Sequence, residues 1–137
     1  MSYQVLITSA PRERDIAENL AQSVLATGAN VLSVLQTPAR DEAVRFDPRR
    51  ALQKADETVI VLTERSLNNP YLLLEMGAAF SLRKRFTPLL VGIEDSEIPP
   101  LIAQFPFVRY SELQKYLSDL ETRVKSSAGQ PPSAAAH

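Results

Sequence analysis

Five times along this chain a short apolar run gives way to a stretch with helical spacing, and that alternation limits the possible folds more than any other feature. The runs are Val5–Thr8, Val31–Leu35, Thr58–Leu62, Pro88–Val91 and Phe107–Tyr110. Most have the length and β-branched content of buried strands, and strands that alternate with helices build a parallel sheet covered on both faces. The first helix is expected over Glu13–Ala26, with Ile16, Ala17, Leu20, Val24 and Leu25 on one side and Gly28 as its stop. A short helix follows Asp47, and a third opens at Asn69 and Pro70, an N-cap and a first helical position. The last runs from Ser111 to about Lys125 on a stripe of Leu113, Leu117, Leu120 and Val124. Between Gln36 and Asp47 no periodicity is visible, and a connection of that length in a small domain is usually functional or mobile.

The expected fold is therefore α/β of the flavodoxin-like kind: three layers around a five-stranded parallel sheet in the order 2-1-3-4-5, with helices on both faces. In such sheets ligands bind beyond the carboxyl ends of the strands, where the strand order reverses. Here that point lies between the first and third strands, at the loops Thr8–Arg12 and Thr63–Asn69. The helix behind the second loop, Tyr71–Leu82, is apolar on nearly every side and should be buried. Glu75 is the one charge in it, and Tyr71, Leu72, Ala78 and Ala79 take the places where a helical partner would stand. A buried carboxylate without a partner is costly unless something uses it. The rival reading is a structural glutamate that pairs with Arg12 or another cation across the fold. Arg83, Lys84 and Arg85 fall in the helix's last turn, where cations oppose the macrodipole.

Composition narrows the chemistry. The sequence has no cysteine, and its only histidine is the terminal His137, so thiolate, Ser-His-Asp and sulfur or imidazole metal chemistry are not expected. No metal or bound cofactor is called for, and carboxylates and hydroxyls must carry any reaction. A net charge of −1 without a basic block gives no reason to expect nucleic acid or an anionic membrane as partner. No run is long enough to span a bilayer, and no secretion signal precedes the first strand, so the cytoplasm is the expected location. The composition from Ser126 to His137 reads as a disordered tail or a linker to a further domain, which leaves residues 1–125 as the folded unit.

The run V-L-T-E-R-S-L-N-N-P-Y-L-L-L-E (residues 61–75) and the opening L-I-T-S-A-P-R-E-R-D-I-A-E-N-L (residues 6–20) resemble a Toll/interleukin-1 receptor (TIR) domain of the prokaryotic type. In that register Thr8 and Ala10 stand where the family prefers serine, Glu13 where it prefers aspartate, and Tyr71 where it prefers tryptophan. The resemblance implies an enzyme that cleaves NAD+ between nicotinamide and ribose, with Glu75 as the catalytic residue and NAD+ as substrate rather than cofactor. It implies activation by self-association through TIR–TIR contacts, in signalling or defence, with a sensor or effector domain attached. Thr8, Ser9, Arg12, Phe46 and Tyr71 are the candidates for holding NAD+.

Blander roles stand beside these. Tyr71 can be packing, Ser9 and Arg12 ordinary turn residues, and Phe46 an interface anchor or an inward-packed loop residue. Two other functions fit the same residues. One is a catalytically inactive scaffold acting by TIR–TIR contact, which the lack of the family's usual glycine in the Gln36–Asp47 loop favours. The other is an enzyme resembling nucleoside deoxyribosyltransferases, which share the architecture and a catalytic glutamate.

Overall fold

A computed structural model describes residues 2–38 and 45–129. Five parallel strands, β1 (Gln4–Ser9), β2 (Asn30–Gln36), β3 (Glu57–Leu62), β4 (Arg85–Leu90) and β5 (Val108–Arg109), form one sheet in the order β2-β1-β3-β4-β5. Helices α1 (Arg14–Ala26), α2 (Arg49–Lys54), α3 (Pro70–Leu82), α4 (Pro100–Ala103) and α5 (Leu113–Gly129) connect or follow them. This is the flavodoxin-like topology expected from the alternating runs, with its switch point between β1 and β3.

Alternation along the strands sorts the core into two layers. Val5, Ile7, Val59 and Val61 face α1 and α5, where Leu20, Val24, Leu117 and Leu120 cover them. Leu6, Ile60, Leu62 and Leu90 face the other way, against Leu52, Leu72, Met76 and Ile102 of α2, α3 and α4. Every residue of the central strand β3 is buried, which is why it reads as an unbroken run rather than an alternating one. At the carboxyl end Thr8 lies level with Leu35 and Ile60, and Ser9 with Gln36 and Val61. Thr8 therefore shares the α3 face with Leu6, while Ser9 shares the α1 face with Ile7.

Four expectations are corrected. Helix α3 is not buried all round: Leu73, Leu74 and Phe80 are 57%, 49% and 78% exposed. It lies in an outer layer with a sheet on one side only, so one apolar face is left to the surface. Two grooves flank that face, one of about 540 Å³ bordered by Phe46 and Pro48, the other of about 400 Å³ bordered by Leu101 and Phe105. Leu25 of α1 is also exposed, and Ala21 takes the inner position instead. The triplet Arg83–Arg85 is not a helical turn. Arg83 adopts a left-handed φ of 56° as the C-cap of α3, and Arg85 already pairs with Glu57 across β3 and β4. The strand begins early because Phe86 and Thr87 have buried places beside β3. Finally, α5 continues past Lys125 to Gly129, because each residue added to a helix already nucleated and anchored by Leu117 and Leu120 gains a backbone hydrogen bond. Residues 130–137 of the expected tail, and 39–44 of the Gln36–Asp47 connection, lie outside the described residues. No helix among the described residues is long and apolar enough to cross a membrane.

Candidate active site

Asn69 starts the element that carries the candidate carboxylate. Its Oδ1 accepts the Tyr71 backbone N–H at 2.9 Å, and Pro70 supplies the first helical φ. Its amide nitrogen also donates to the Pro38 carbonyl at 2.8 Å, tying the head of α3 to the segment that follows β2. Replacing Asn69 by alanine should lower stability by about 1–2 kcal/mol, read from a denaturant midpoint, with Asn69→Asp recovering part of the loss through the retained cap. An alanine variant with an unchanged midpoint would contradict the cap.

Glu75 lies in the second turn of this helix and turns inward, with no exposed surface. Its Oε1 accepts a hydrogen bond from the Thr8 hydroxyl at 2.6 Å, across the β1–α3 interface. Its Oε2 has no partner among the described residues. Burial raises its pKa to about 7 against the opposing influence of the Thr8 hydrogen bond. No ion pair to it exists among the described residues, and Arg12, the structural partner considered from the sequence, is exposed on the turn that follows β1. The carboxylate is thus buried, set beside the end of β1, and not neutralised by a described cation.

Apart from Arg12, the other candidates fall into three places. Thr8 joins Glu75 directly. Phe46 and Tyr71 meet each other, edge to face, with ring centroids 5.7 Å apart, so Phe46 packs inward against the head of α3 and also borders the outer groove. Ser9 lies on the opposite face of the sheet, fully buried, with its Oγ lacking a partner.

Two features escaped the sequence reading. Glu13 is buried, accepts the Thr63 hydroxyl at 2.6 Å through Oε1, and has an unpartnered Oε2. Gln36 Nε2 and Thr37 Oγ1, where β2 ends, are likewise buried and unpartnered. With Ser9 and Glu75, these groups account for every unpartnered buried side-chain atom among the described residues except Thr58 Oγ1. Such atoms are uncommon, and here they gather at one end of the sheet. Strand alternation could have separated Ser9 from Thr8 on sequence alone; nothing local announces the burial of Glu13. A small pit of about 10 Å³ lies at this end, bordered by Ala10, Thr37, Asn69 and Leu72.

By sequence, residues 5–123 match the family described as TIR domain. The chain belongs to the TIR-domain family. The match runs from β1 into α5 and so takes in Thr8, Glu13 and Glu75. Among solved structures, the TIR domain of the Toll-related receptor TRR-2 from Hydra magnipapillata is similar with a TM-score of 0.63 at 17% identity, over 87% of this chain and 98% of that one. A CMP N-glycosidase of Clostridium botulinum is similar at 0.54 and 18% identity, over 87% and 98%. A flavodoxin-like domain from Synechococcus gives 0.54 and 15%, over 89% and 99%. At such identities these likenesses speak for the fold of this TIR domain and no further. No curated protein matches it by sequence.

Proposed function

We propose that this TIR domain cleaves NAD+ at the nicotinamide–ribose bond, with Glu75 as the catalytic carboxylate. One observation carries the reading: at the switch point of the sheet, Glu75 is buried without a cation among the described residues and has one oxygen free. In the proposed reaction the bond between the pyridinium nitrogen and ribose C1′ breaks. Its electron pair goes to nicotinamide, which leaves neutral, while positive charge develops on C1′ and the ring oxygen. A carboxylate in a water-poor site interacts strongly with such charge. Water then adds to C1′ and loses a proton, giving ADP-ribose. NAD+ itself brings the cation that Glu75 lacks, so substrate binding should favour the ionised form that burial disfavours. The Clostridium botulinum protein of the same fold is named for cleaving a nucleotide's N-glycosidic bond, which is compatible with this class of chemistry on this scaffold.

Glu75 has no exposed surface in the single chain, so substrate reaches it only after the crevice opens. TIR domains generally self-associate, and the exposed apolar face of α3, with Leu73, Leu74 and Phe80, suits contact between molecules. Assembly is the proposed trigger for opening.

The test is incubation of the full chain at high concentration with NAD+, following nicotinamide release beside Glu75→Gln. Release by the wild type and a loss of 100-fold or more in the variant are expected. Equal release by both, above background, excludes the proposed role of Glu75. The complete burial of Glu75 favours a second reading, a scaffold that acts by TIR–TIR contact alone. Assembly without NAD+ turnover, indifferent to Glu75→Gln, would select it.

A further inference from the structure

The two oxygens of Glu75 have unlike surroundings: Oε1 accepts the Thr8 hydroxyl at 2.6 Å, and Oε2 is buried with nothing to bind. A glutamate's last torsion is broad and roughly two-fold, so rotamer preference by itself does not decide which oxygen faces the crevice. Something outside the side chain must hold the carboxylate plane. The Thr8 hydroxyl is the described group that does so, across the β1–α3 interface. Thr8 is itself fully buried and flanked in register by Leu35 and Ile60, so its own backbone position is set by the middle of the sheet.

We propose that Thr8 is a positioning residue for Glu75: its hydroxyl holds Oε1, so that Oε2 alone is presented to the ribose. This rests on the reading that Glu75 acts on NAD+, and it gives Thr8 a role other than holding the substrate. A threonine hydroxyl has one proton to donate, and here that proton is committed to Glu75. A proton taken up by Glu75 therefore goes to Oε2, the same oxygen that must be bare to face a developing cation. Loss of the Thr8 donor should act in two ways, by freeing the carboxylate to rotate and by favouring its protonated form. No described charged group has a resolved influence on Glu75, so burial and this hydroxyl are the two opposing influences on its ionisation.

The experiment uses the full chain with ¹³C at the glutamate side-chain carboxyl carbons, the Glu75 signal being assigned by its absence in Glu75→Gln. Thr8→Val keeps the side-chain shape without the donor, and Thr8→Ser keeps the donor. In Thr8→Val the Glu75 titration midpoint should rise by about one on the pH scale, while Thr8→Ser stays near the wild type. The acid limb of nicotinamide release should move up by the same amount, with kcat at pH 7 falling about fivefold and KM for NAD+ unchanged. A folded Thr8→Val that titrates like the wild type overturns the proposal, as does a rise in KM at constant kcat, which would make Thr8 a substrate contact. If Thr8→Val does not fold, Thr8→Ala removes the same donor and is read in the same way. Should the wild type release no nicotinamide, the NAD+ reading falls, and the titration alone decides whether Thr8 governs Glu75.

Discussion

Glu75→Gln should unfold at higher denaturant than the wild type at pH 8 and at lower denaturant near pH 4. The sign follows from the raised pKa. In the folded chain the carboxyl stays protonated to about pH 7, whereas in the unfolded chain it ionises near its ordinary value of 4.5. Between these values the folded state holds a proton that the unfolded state has lost, so stability falls as pH rises. The contribution is full below about 4.5 and gone above about 7. The distance between the two corresponds to about 3 kcal/mol. Glutamine removes that dependence but leaves a buried amide with an unpaired donor, at a pH-independent cost of about 1–3 kcal/mol. The two stability curves should therefore cross, and the slope between them is more telling than either end. Urea midpoints at pH 4.5, 6, 7 and 8 measure it. Parallel curves would mean that Glu75 is solvated, and the case for a reactive carboxylate would go with them. A structural glutamate held by a cation gives the opposite slope, because its removal costs most where it is ionised. A residue that destabilises the fold at the pH where it would act is what a functional site is expected to contain.

Much of this was readable before the structure, because the signals were local or topological. The length and β-branched content of Thr58–Leu62 mark a buried strand, and alternation with helices implies a parallel sheet and its switch point. Glu75 stands out because an apolar helix leaves it without a helical partner. The bond from Thr8 to Glu75 joins residues 67 apart. Topology could bring their loops together, but only the alternation of β1 tells that Thr8 faces α3 and Ser9 does not. The apolar sequence of α3 could not say which of its faces would meet the sheet, so Leu73, Leu74 and Phe80 were misread as core. Arg85 was misread as helical because its place is set by pairing with Glu57, a long-range contact that no helical periodicity contains. The burial of Glu57 itself depends on Arg123, 66 positions away, and on two tyrosines from opposite ends of the chain.

That second buried carboxylate supplies the other large expected effect. Arg123→Met should destabilise the domain by about 3–5 kcal/mol at pH 7, through a group at the end of the sheet remote from Glu75. Glu57 opens β3 with no exposed surface, and all its bonding is internal. Arg123 of α5 reaches it with Nε at 2.8 Å and Nη2 at 2.9 Å, a two-pronged pair. The Tyr116 hydroxyl donates at 2.5 Å from the same helix and the Tyr3 hydroxyl at 2.5 Å from the start of the chain. Burial pushes the Glu57 carboxyl up, but the bonds from Arg123, Tyr116 and Tyr3 and the guanidinium charge outweigh it and hold the group below 4.5. Its contribution to stability is therefore present above 4.5 and lost as pH falls below that value. Methionine keeps most of the arginine's apolar stem and removes the cation, so the burial of Glu57 goes unopposed by charge. Its pKa should then rise past the ordinary value, and stability in the variant should recover on acidification where the wild type declines. The double variant Glu57→Gln, Arg123→Met should regain most of the loss, because the cost lies in the charge left behind rather than in the absent pair. Thermal midpoints of Arg123→Met and of the double variant across pH 4–8 test this, and an Arg123→Met variant that tracks the wild type in its pH slope would show that water reaches Glu57 once the arginine is gone. Glu57 is neutralised from several directions, while Glu75, equally buried, has one hydroxyl among the described residues. The same physics makes the first carboxylate a clamp between β3 and α5 and leaves the second free to meet a cation from outside.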